Sequence, residues 1–335
     1  MADGSLPTVH GSKLTAHGYK TYNMLNYLLQ RFWQACLVLI AVSILSFVLI
    51  YLSGDPIAAL IPLNARQEDI DNIRRAYNLD QPLITQYWLF LGKALQGDMG
   101  ESFRYRTDAL RLVLGRLPNT MLLAGASLLL SSIIAFPLGI WAARSKFSPS
   151  RWHLLDNFIS TGSLLLLSLP SFWLGVLLIL VFAGALRWLP ASGAGTFQQL
   201  ILPTITVSAF STGLLVRLIR RSVYDTFKQQ FVVVARSKGL AEQWVAWRHV
   251  LPNAIIPVIT VMGLQFGALL GGSVVVETVF AWPGVGWLMI QAVESRDLPI
   301  IRAAVLILSL FIVLINLGVD VLYTILDPRI KLGKA

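Results

Sequence analysis

Side chains able to do chemistry are few in this 335-residue chain, and their spacing suits no catalytic site. The single cysteine, Cys36, lies inside an apolar run, so no disulfide can form within the chain. The four histidines (His10, His17, His153, His249) fall outside the apolar runs, and no His-Glu-x-x-His or cysteine pair offers zinc a ligand set. No Gly-x-x-x-x-Gly-Lys-Ser/Thr loop is present to cradle a nucleotide, and no Gly-x-Ser-x-Gly elbow exposes a nucleophilic serine. Glu277 and Asp320 stand near the ends of apolar runs, whereas a proton- or sodium-driven carrier would bury carboxylates midway. A secondary transporter would also need broken inverted repeats, and a channel would need a filter or a charged ring. Neither pattern is evident, so the chain reads as non-catalytic, with no metal or cofactor of its own.

Two segments carry the most specific spacing. The first runs Phe231-Val-Val-Val-Ala235-Arg236-Ser-Lys238-Gly239-Leu-Ala-Glu-Gln-Trp244-Val-Ala-Trp247-Arg248-His249-Val-Leu251-Pro252-Asn253. Its first part predicts a short helix that Gly239 stops by taking a left-handed backbone. A second helix follows from about Ala241 to Val250, with Trp244, Trp247 and Leu251 on one side and Arg248 beside them. Leu251-Pro252 is expected to end it, because the residue before proline is pushed out of helical geometry. Two short helices meeting at a glycine, basic and apolar together, make a knob suited to a partner's groove. The second segment, Glu277 to Gly286, contains Trp282-Pro283-Gly284, which reads as a tight turn, with Trp282 and Trp287 as interfacial aromatics.

The elements that position these segments follow from composition. Hydrophobic residues make up 56% of the chain and charged residues 13%, against about 25% charged in a soluble domain. No charged side chain interrupts 32–54, 117–143, 157–186, 188–216, 250–276 or 303–319, and a spanning helix needs about 20 residues. The fold class is therefore all-α, a polytopic membrane protein with six transmembrane helices; a membrane β-barrel would need short alternating strands instead. The formal charge of +10 does not indicate nucleic acid, because the basic residues sit at the ends of apolar runs. With both termini in the cytoplasm, the inside segments hold Lys13, Lys20 and Arg31, then Arg144, Lys146 and Arg151, then seven basic residues from Arg217 to Arg248, then Arg329, Lys331 and Lys334. The short outside loops hold only Arg187, and Arg296 with Arg302. The stretch 153–186 must then cross once, kinked at Pro170.

The boundaries expected are a cytoplasmic segment 1–31 (1–23 a disordered extension), a first helix 32–54 that is an uncleaved anchor, and an external segment 55–116. In that segment Gln67–Arg75 and Leu83–Leu91 suggest short helices on the outer surface. A five-helix core, 117–326, carries the cytoplasmic loop 222–251, and a cytoplasmic tail covers 327–335. Glycines 263, 267 and 271, four apart, allow close helix approach, either within the chain or at a seam with another chain.

The spacing Ala235-x-x-x-Gly239, nine residues, His249-x-Leu251-Pro252 resembles the EAA loop of permease subunits in binding-protein-dependent ABC importers. Val233 stands where that loop has its acid, and His249 replaces an aliphatic residue; both departures fit the peptide/nickel branch. Similar to that branch are Gly54-Asp55-Pro56, Leu79-Asp80-Gln81-Pro82-Leu83, Gln96-Gly97-Asp98-Met99-Gly100-Glu101-Ser102, Leu117-Pro118-Asn119-Thr120, Leu169-Pro170-Ser171-Phe172-Trp173-Leu174-Gly175, the Glu277–Gly286 segment and Asp327-Pro328-Arg329. The resemblance implies a type I ABC importer permease fold and half of a translocation pathway in a bacterial inner (plasma) membrane. It implies a second homologous permease subunit, two ABC ATPase subunits that bind the ATP and Mg, and a periplasmic or lipid-anchored solute-binding protein, all among membrane lipids. The ATPase-coupling residues would be Ala235, Arg236, Lys238, Gly239, Trp244, Arg248, His249, Leu251 and Pro252. Glu277, Trp282, Pro283 and Gly284 would form an external gate or binding-protein contact. The substrate implied is a peptide, with nickel or a metal chelate as the alternative.

Overall fold

The computed structural model describes residues 24–52, 66–76, 80–145 and 153–326. Expectations about 1–23, Gly54-Asp55-Pro56, Lys146, Arg151 and the tail 327–335 lie outside the described residues. Thirteen α-helices and two π-helical turns (Ile179–Ala185 and Val245–Val250) occur among those described: α1 (Met24–Leu52), α2 (Gln67–Ala76), α3 (Leu83–Leu95), α4 (Ala109–Ser145), α5 (His153–Ser168), α6 (Ser171–Leu178), α7 (Phe197–Phe227), α8 (Gln230–Ser237), α9 (Glu242–Trp244), α10 (Leu251–Gly272), α11 (Val274–Val279), α12 (Val285–Glu294) and α13 (Leu298–Leu326).

Five stretches are long and apolar enough to cross a membrane: within α1, α4, α7, the continuous segment Glu242–Gly272, and α13. A sixth is broken. Helix α5 and the α6 segment (to Ala185) meet at an angle of 99°, far sharper than the kink expected at Pro170. The reason is local: Pro170 takes an extended backbone (φ −62, ψ 130) and caps α6 instead of bending one helix. Helix α4 starts eight residues before the expected 117, because the Asp108 carboxylate accepts the amide of Arg111 (2.8 Å) and opens the helix there. At the other core helix a capping box does the same: Thr196 and Gln199 exchange side chain and backbone bonds ahead of α7.

Helices α4 and α7 form the centre. Their contact is built from small hydroxyl residues: Ser127 donates to the Thr204 carbonyl (3.4 Å) and Ser131 to the Ser208 carbonyl (3.1 Å). Such residues let backbones approach while satisfying their own hydroxyls away from water. Helix α7 is the most deeply enclosed span, whereas α1 exposes Phe32, Trp33, Leu37 and Leu45. Helix α1 is held by an Arg31–Asp320 ion pair (3.1 Å) to α13 and by Ser43 bonding Tyr87 of α3 (2.8 Å). The glycine row of α10 is used inside the chain. A β-carbon at Gly263 would lie 2.2 Å from Val319, and Gly267 faces Asn316, both on α13.

Candidate functional site

The two segments singled out by spacing lie at opposite ends of α10. At one end α8 and α9 form an elbow. Gly239 adopts φ +76, and its amide donates to the Arg236 carbonyl (2.9 Å) while Lys238 N–H reaches the Val234 carbonyl (3.2 Å). This closes α8 in the left-handed conformation that glycine alone takes without cost. Across the turn, Arg236 grips Glu242 with both Nε (3.0 Å) and a terminal nitrogen (2.5 Å). A bidentate guanidinium–carboxylate pair fixes direction as well as distance, so it sets the angle between the two arms. Arg236 is thus engaged inside the loop, while Lys238 and Arg248 are exposed.

The elbow is anchored from beneath. Val232, Ala235, Val245, Ala246 and Val250 are buried in one cluster with Val223 and Phe227 of α7 and Ala142 and Ala143 of α4. Its outer face leaves Trp244 57% and Trp247 66% exposed, with Val233 and Val234 beside them. The expected set of Trp244, Trp247 and Leu251 on one side is therefore split, since Leu251 packs on the core cluster.

The second helix does not end at Pro252, as the proline rule predicted. Residues Val245–Val250 form a π-helical turn that runs directly into α10, with Pro252 in the first turn of α10 and Leu251 at φ −59, ψ −44. A wide turn shifts the hydrogen-bond register, so the missing proline N–H and its bulky ring are absorbed without a break. Asn253 completes the repair by donating its side-chain amide to the His249 carbonyl (2.7 Å). The same wide turn rotates Leu251 away from the two tryptophans. The consequence is mechanical: α9, the π turn and α10 are one rod from Glu242 to Gly272.

At the far end of that rod, residues 277–287 fold over the start of α12. Glu277 is fully buried. Its Oε1 accepts hydroxyls from Thr120 (2.8 Å) and Ser273 (3.1 Å), and its Oε2 accepts the Trp287 amide (3.1 Å). Thr120 Oγ1 in turn accepts the Val285 amide (2.9 Å). Burial pushes the Glu277 carboxyl above its usual value, and the bonds from Thr120, Trp287, Ser273 and Gly286 partly offset this. Gly284 is required sterically, because a β-carbon there would lie 2.4 Å from the Glu277 carboxyl.

Trp282 is not an interfacial aromatic: it is 2% exposed, and its indole N–H donates to the Asn119 carbonyl (3.0 Å). The Asn119 side chain returns a bond to the Pro283 carbonyl (2.9 Å), and the tight turn at Trp282-Pro283-Gly284 is closed by Gly284 N–H on the Trp282 carbonyl (2.7 Å). Leu117-Pro118-Asn119-Thr120 and Glu277–Gly286, separated by more than 150 residues, are thus one structure. Gly175 of α6 packs on Phe280 and Val279 of the same cap. Nearby, Ser102 and the Arg104 amide bind the buried Asp297 ahead of α13 (2.5 and 3.0 Å), which docks the 96–102 segment. Sequence spacing found Glu277 but missed Thr120 as its support, Asn119 as the partner of the Trp282-Pro283 turn and Asp297 as the anchor of the 96–102 segment; the available signal was a lone acid beside a purely apolar run.

The family model "Binding-protein-dependent transport system inner membrane component" matches residues 135–332, and the corresponding N-terminal model matches 24–124. The chain is 41% identical over 309 residues to the glutathione transport system permease protein GsiC of Escherichia coli O6:H1, covering 92% of this chain and 99% of that protein. The same figures hold for GsiC of Shigella flexneri serotype 5b. Among solved structures, an inward-facing form of the MetNI methionine ABC transporter matches with a TM-score of 0.56 at 15% identity, covering 64% of this chain and 96% of that one. At that identity the match speaks for the fold. A rod linking an anchored, tryptophan-tipped elbow to a buried cap, in a chain with no catalytic constellation among its described residues, belongs to the type I permease architecture: the chain is a member of the binding-protein-dependent ABC importer permease family, a non-catalytic, multi-pass inner-membrane subunit that works with separate ATPase and solute-binding partners.

Proposed function

We propose that this chain forms half of the translocation pathway of a peptide importer and takes its power stroke through the 230–253 elbow. A second, homologous permease subunit completes the pathway, and two ATPase subunits, which hold the ATP and Mg, dock on the elbow side. Both termini and the loop 222–251 then lie in the cytoplasm, and segment 55–116 faces the binding protein. In that orientation 1–31 is the cytoplasmic segment, 32–54 the first crossing, 117–326 the core and 327–335 the tail, with helices α1 and α4 beginning earlier, at Met24 and Ala109. The chain itself binds no cofactor.

One observation carries the coupling assignment: the elbow is rigid and core-anchored, yet it presents Trp244 and Trp247 to no neighbour of its own core. Buried aromatic anchors dominate protein interfaces, and two exposed ones on a rigid tip suit a pocket on the ATPase. Gly239, Arg236 and Ala235 shape the tip; Lys238, Arg248 and His249 flank it; Leu251 and Pro252 join it to α10. ATPase closure then pushes a continuous rod rather than a hinged loop, and the push arrives at the cap held by Glu277, Trp282, Pro283 and Gly284. Those four residues act as the framework of an external gate.

For the substrate, the support is kinship over nearly the whole chain with permeases named for glutathione, which is itself a peptide. That favours peptide over nickel or a metal chelate. The test is uptake by the complete complex, reconstituted with its binding protein, of labelled glutathione, di- and tripeptides and nickel. Peptide uptake that requires ATP supports the reading; uptake of nickel alone refutes it.

A further inference from the structure

Helix α7 is enclosed on three sides and open on the fourth. Gly213 and Arg220 turn toward α5, where Gly213 abuts Ser163 and Leu167 and Arg220 pairs with Asp156. Val216 and Ile219 turn toward Gly139 of α4. Ser211 and Ser222 turn toward Gln265 and Ala254 of α10. The remaining sector, between α5 and α10, carries Phe210, Leu214, Arg217, Arg221 and Tyr224, at the 4-3-4-3 spacing of one helix face. A cavity of about 580 Å³ opens there, lined by Leu167, Leu214 and Leu218 together with Arg217, Arg220, Arg221 and Asp225.

The charges in this cavity are not equivalent. Arg220 is committed to the buried Asp156 through two bonds of 2.6 and 2.7 Å, so it is neutralised and fixed. Arg221 makes one loose contact with Asp225 at 3.6 Å, both side chains being largely exposed. Arg217 makes no ion pair or hydrogen bond among the described residues. Lys228 lies over the Tyr224 ring at 4.0 Å and adds a further positive charge at the rim. Against Asp156 and Asp225, the four cations leave an excess of positive charge, and the three arginines lie within about 6 Å along the helix. Above it the open face is apolar, ending at Phe210, which is 49% exposed.

We infer that Arg217 and Arg221 form a cationic exit site in the translocation pathway, binding the carboxylate groups of a peptide substrate as it leaves past the apolar Phe210–Leu214 stretch. This rests on the peptide reading and narrows it to peptides carrying acidic groups. The sector belongs to the pathway because it lies between the broken span that begins with α5 and the rod that grows from the elbow. Lipid-facing surface is amply provided elsewhere, on α1. Guanidinium groups match carboxylates in shape and charge, and a shallow, water-exposed pair binds weakly enough to release its ligand.

The test uses the complete complex in proteoliposomes, with the wild-type chain, Arg217→Gln/Arg221→Gln and Arg217→Lys/Arg221→Lys. Uptake is compared for one transported acidic peptide and its amidated, uncharged analogue. The binding protein is the same in every arm, so its own preference cancels in the ratio between variants. The glutamine pair is expected to lower acidic-peptide uptake about three- to fivefold relative to the neutral analogue, the scale of exposed ion pairs. The lysine pair should keep most of the preference, and higher salt inside the vesicles should erode it. Equal losses on both peptides, with assembly intact, would overturn the exit site. A loss that follows the anionic lipid content of the vesicles and ignores the peptide would overturn it too, assigning the arginines to lipid phosphates. If the wild-type complex moves no peptide at all, the peptide reading itself fails, and this inference with it.

Discussion

Replacing Gly239 by valine isolates the elbow's geometry from its contacts. Gly239 holds φ +76, and a β-carbon built there meets nothing within 4 Å. The added β-carbon therefore meets no clash within the chain, and the effect that the backbone dictates is strain in the left-handed region. That strain is about 1–2 kcal/mol for an ordinary residue, higher for a β-branched one and lowest for asparagine. The elbow cannot shed the strain by unfolding the core, since Val232, Ala235, Val245 and Val250 are buried within it. It sheds it locally, by losing the Gly239–Arg236 turn bond and re-aiming the Arg236–Glu242 pair. One to two kcal/mol corresponds to a roughly 5- to 30-fold drop in the population of correctly aimed elbows. In reconstituted complexes, Gly239→Val should lower peptide uptake and peptide-stimulated ATPase activity by at least the lower end of that factor, with assembly checked by size-exclusion chromatography. Gly239→Asn should retain most of both. The reasoning fails if the valine variant, fully assembled, transports at the wild-type rate, or if asparagine is as damaging as valine.

Three further outcomes follow from the cap and the α5–α7 contact. Thr120→Val keeps the side-chain shape but removes the hydroxyl that donates to Glu277 and accepts from Val285, so thermal stability in detergent should fall by an amount equivalent to about 1–3 kcal/mol. The raised Glu277 carboxyl predicts a pH signature: the folded state binds its proton more tightly than the unfolded one, so this group's contribution is fully present below the usual value of 4.5 and is lost as pH rises through the raised value. Glu277→Gln should flatten that slope in a melting series across pH. Asp156→Asn strands the Arg220 guanidinium and should cost about 3–5 kcal/mol in denaturant melts. The double change Asp156→Leu/Arg220→Met should recover most of that loss.

The spans were legible because charge exclusion over about 20 residues is a one-dimensional signal, and α1, α4, α7, α10 and α13 appear where the uncharged runs lie. So was Gly239, where a glycine after a short periodic stretch predicts a left-handed stop that the backbone adopts. Pro252 was misread because the rule for the residue before proline assumes α-helical register, and the π turn at 245–250 changes that register. Trp282 was misread for a different reason. Its burial depends on Asn119, and nothing local in Trp-Pro-Gly distinguishes an aromatic facing lipid from one donating to a carbonyl 163 residues away. The Arg236–Glu242 pair and the Thr120–Glu277 bond show the same limit at two ranges: each partner is visible alone, but the pairing is set by a turn angle or by tertiary packing. The open face of α7 is a harder case still. Arg217, Arg220 and Arg221 look alike in sequence as topology-setting charges, and only the buried Asp156 separates the paired one from the other two.

If the elbow carries the ATPase's motion into the membrane, a cross-link at its tip must interrupt transport. With Cys36 replaced by serine, a cysteine is placed by Lys238→Cys at the exposed turn, and a second one is scanned through the facing surface of the ATPase subunit. The account predicts a short cross-link in the assembled complex whose formation blocks peptide uptake and whose reduction restores it. Full uptake with the elbow cross-linked through every nucleotide state, or an assembled and active complex in which no position on the ATPase reaches the 238 site, would contradict it.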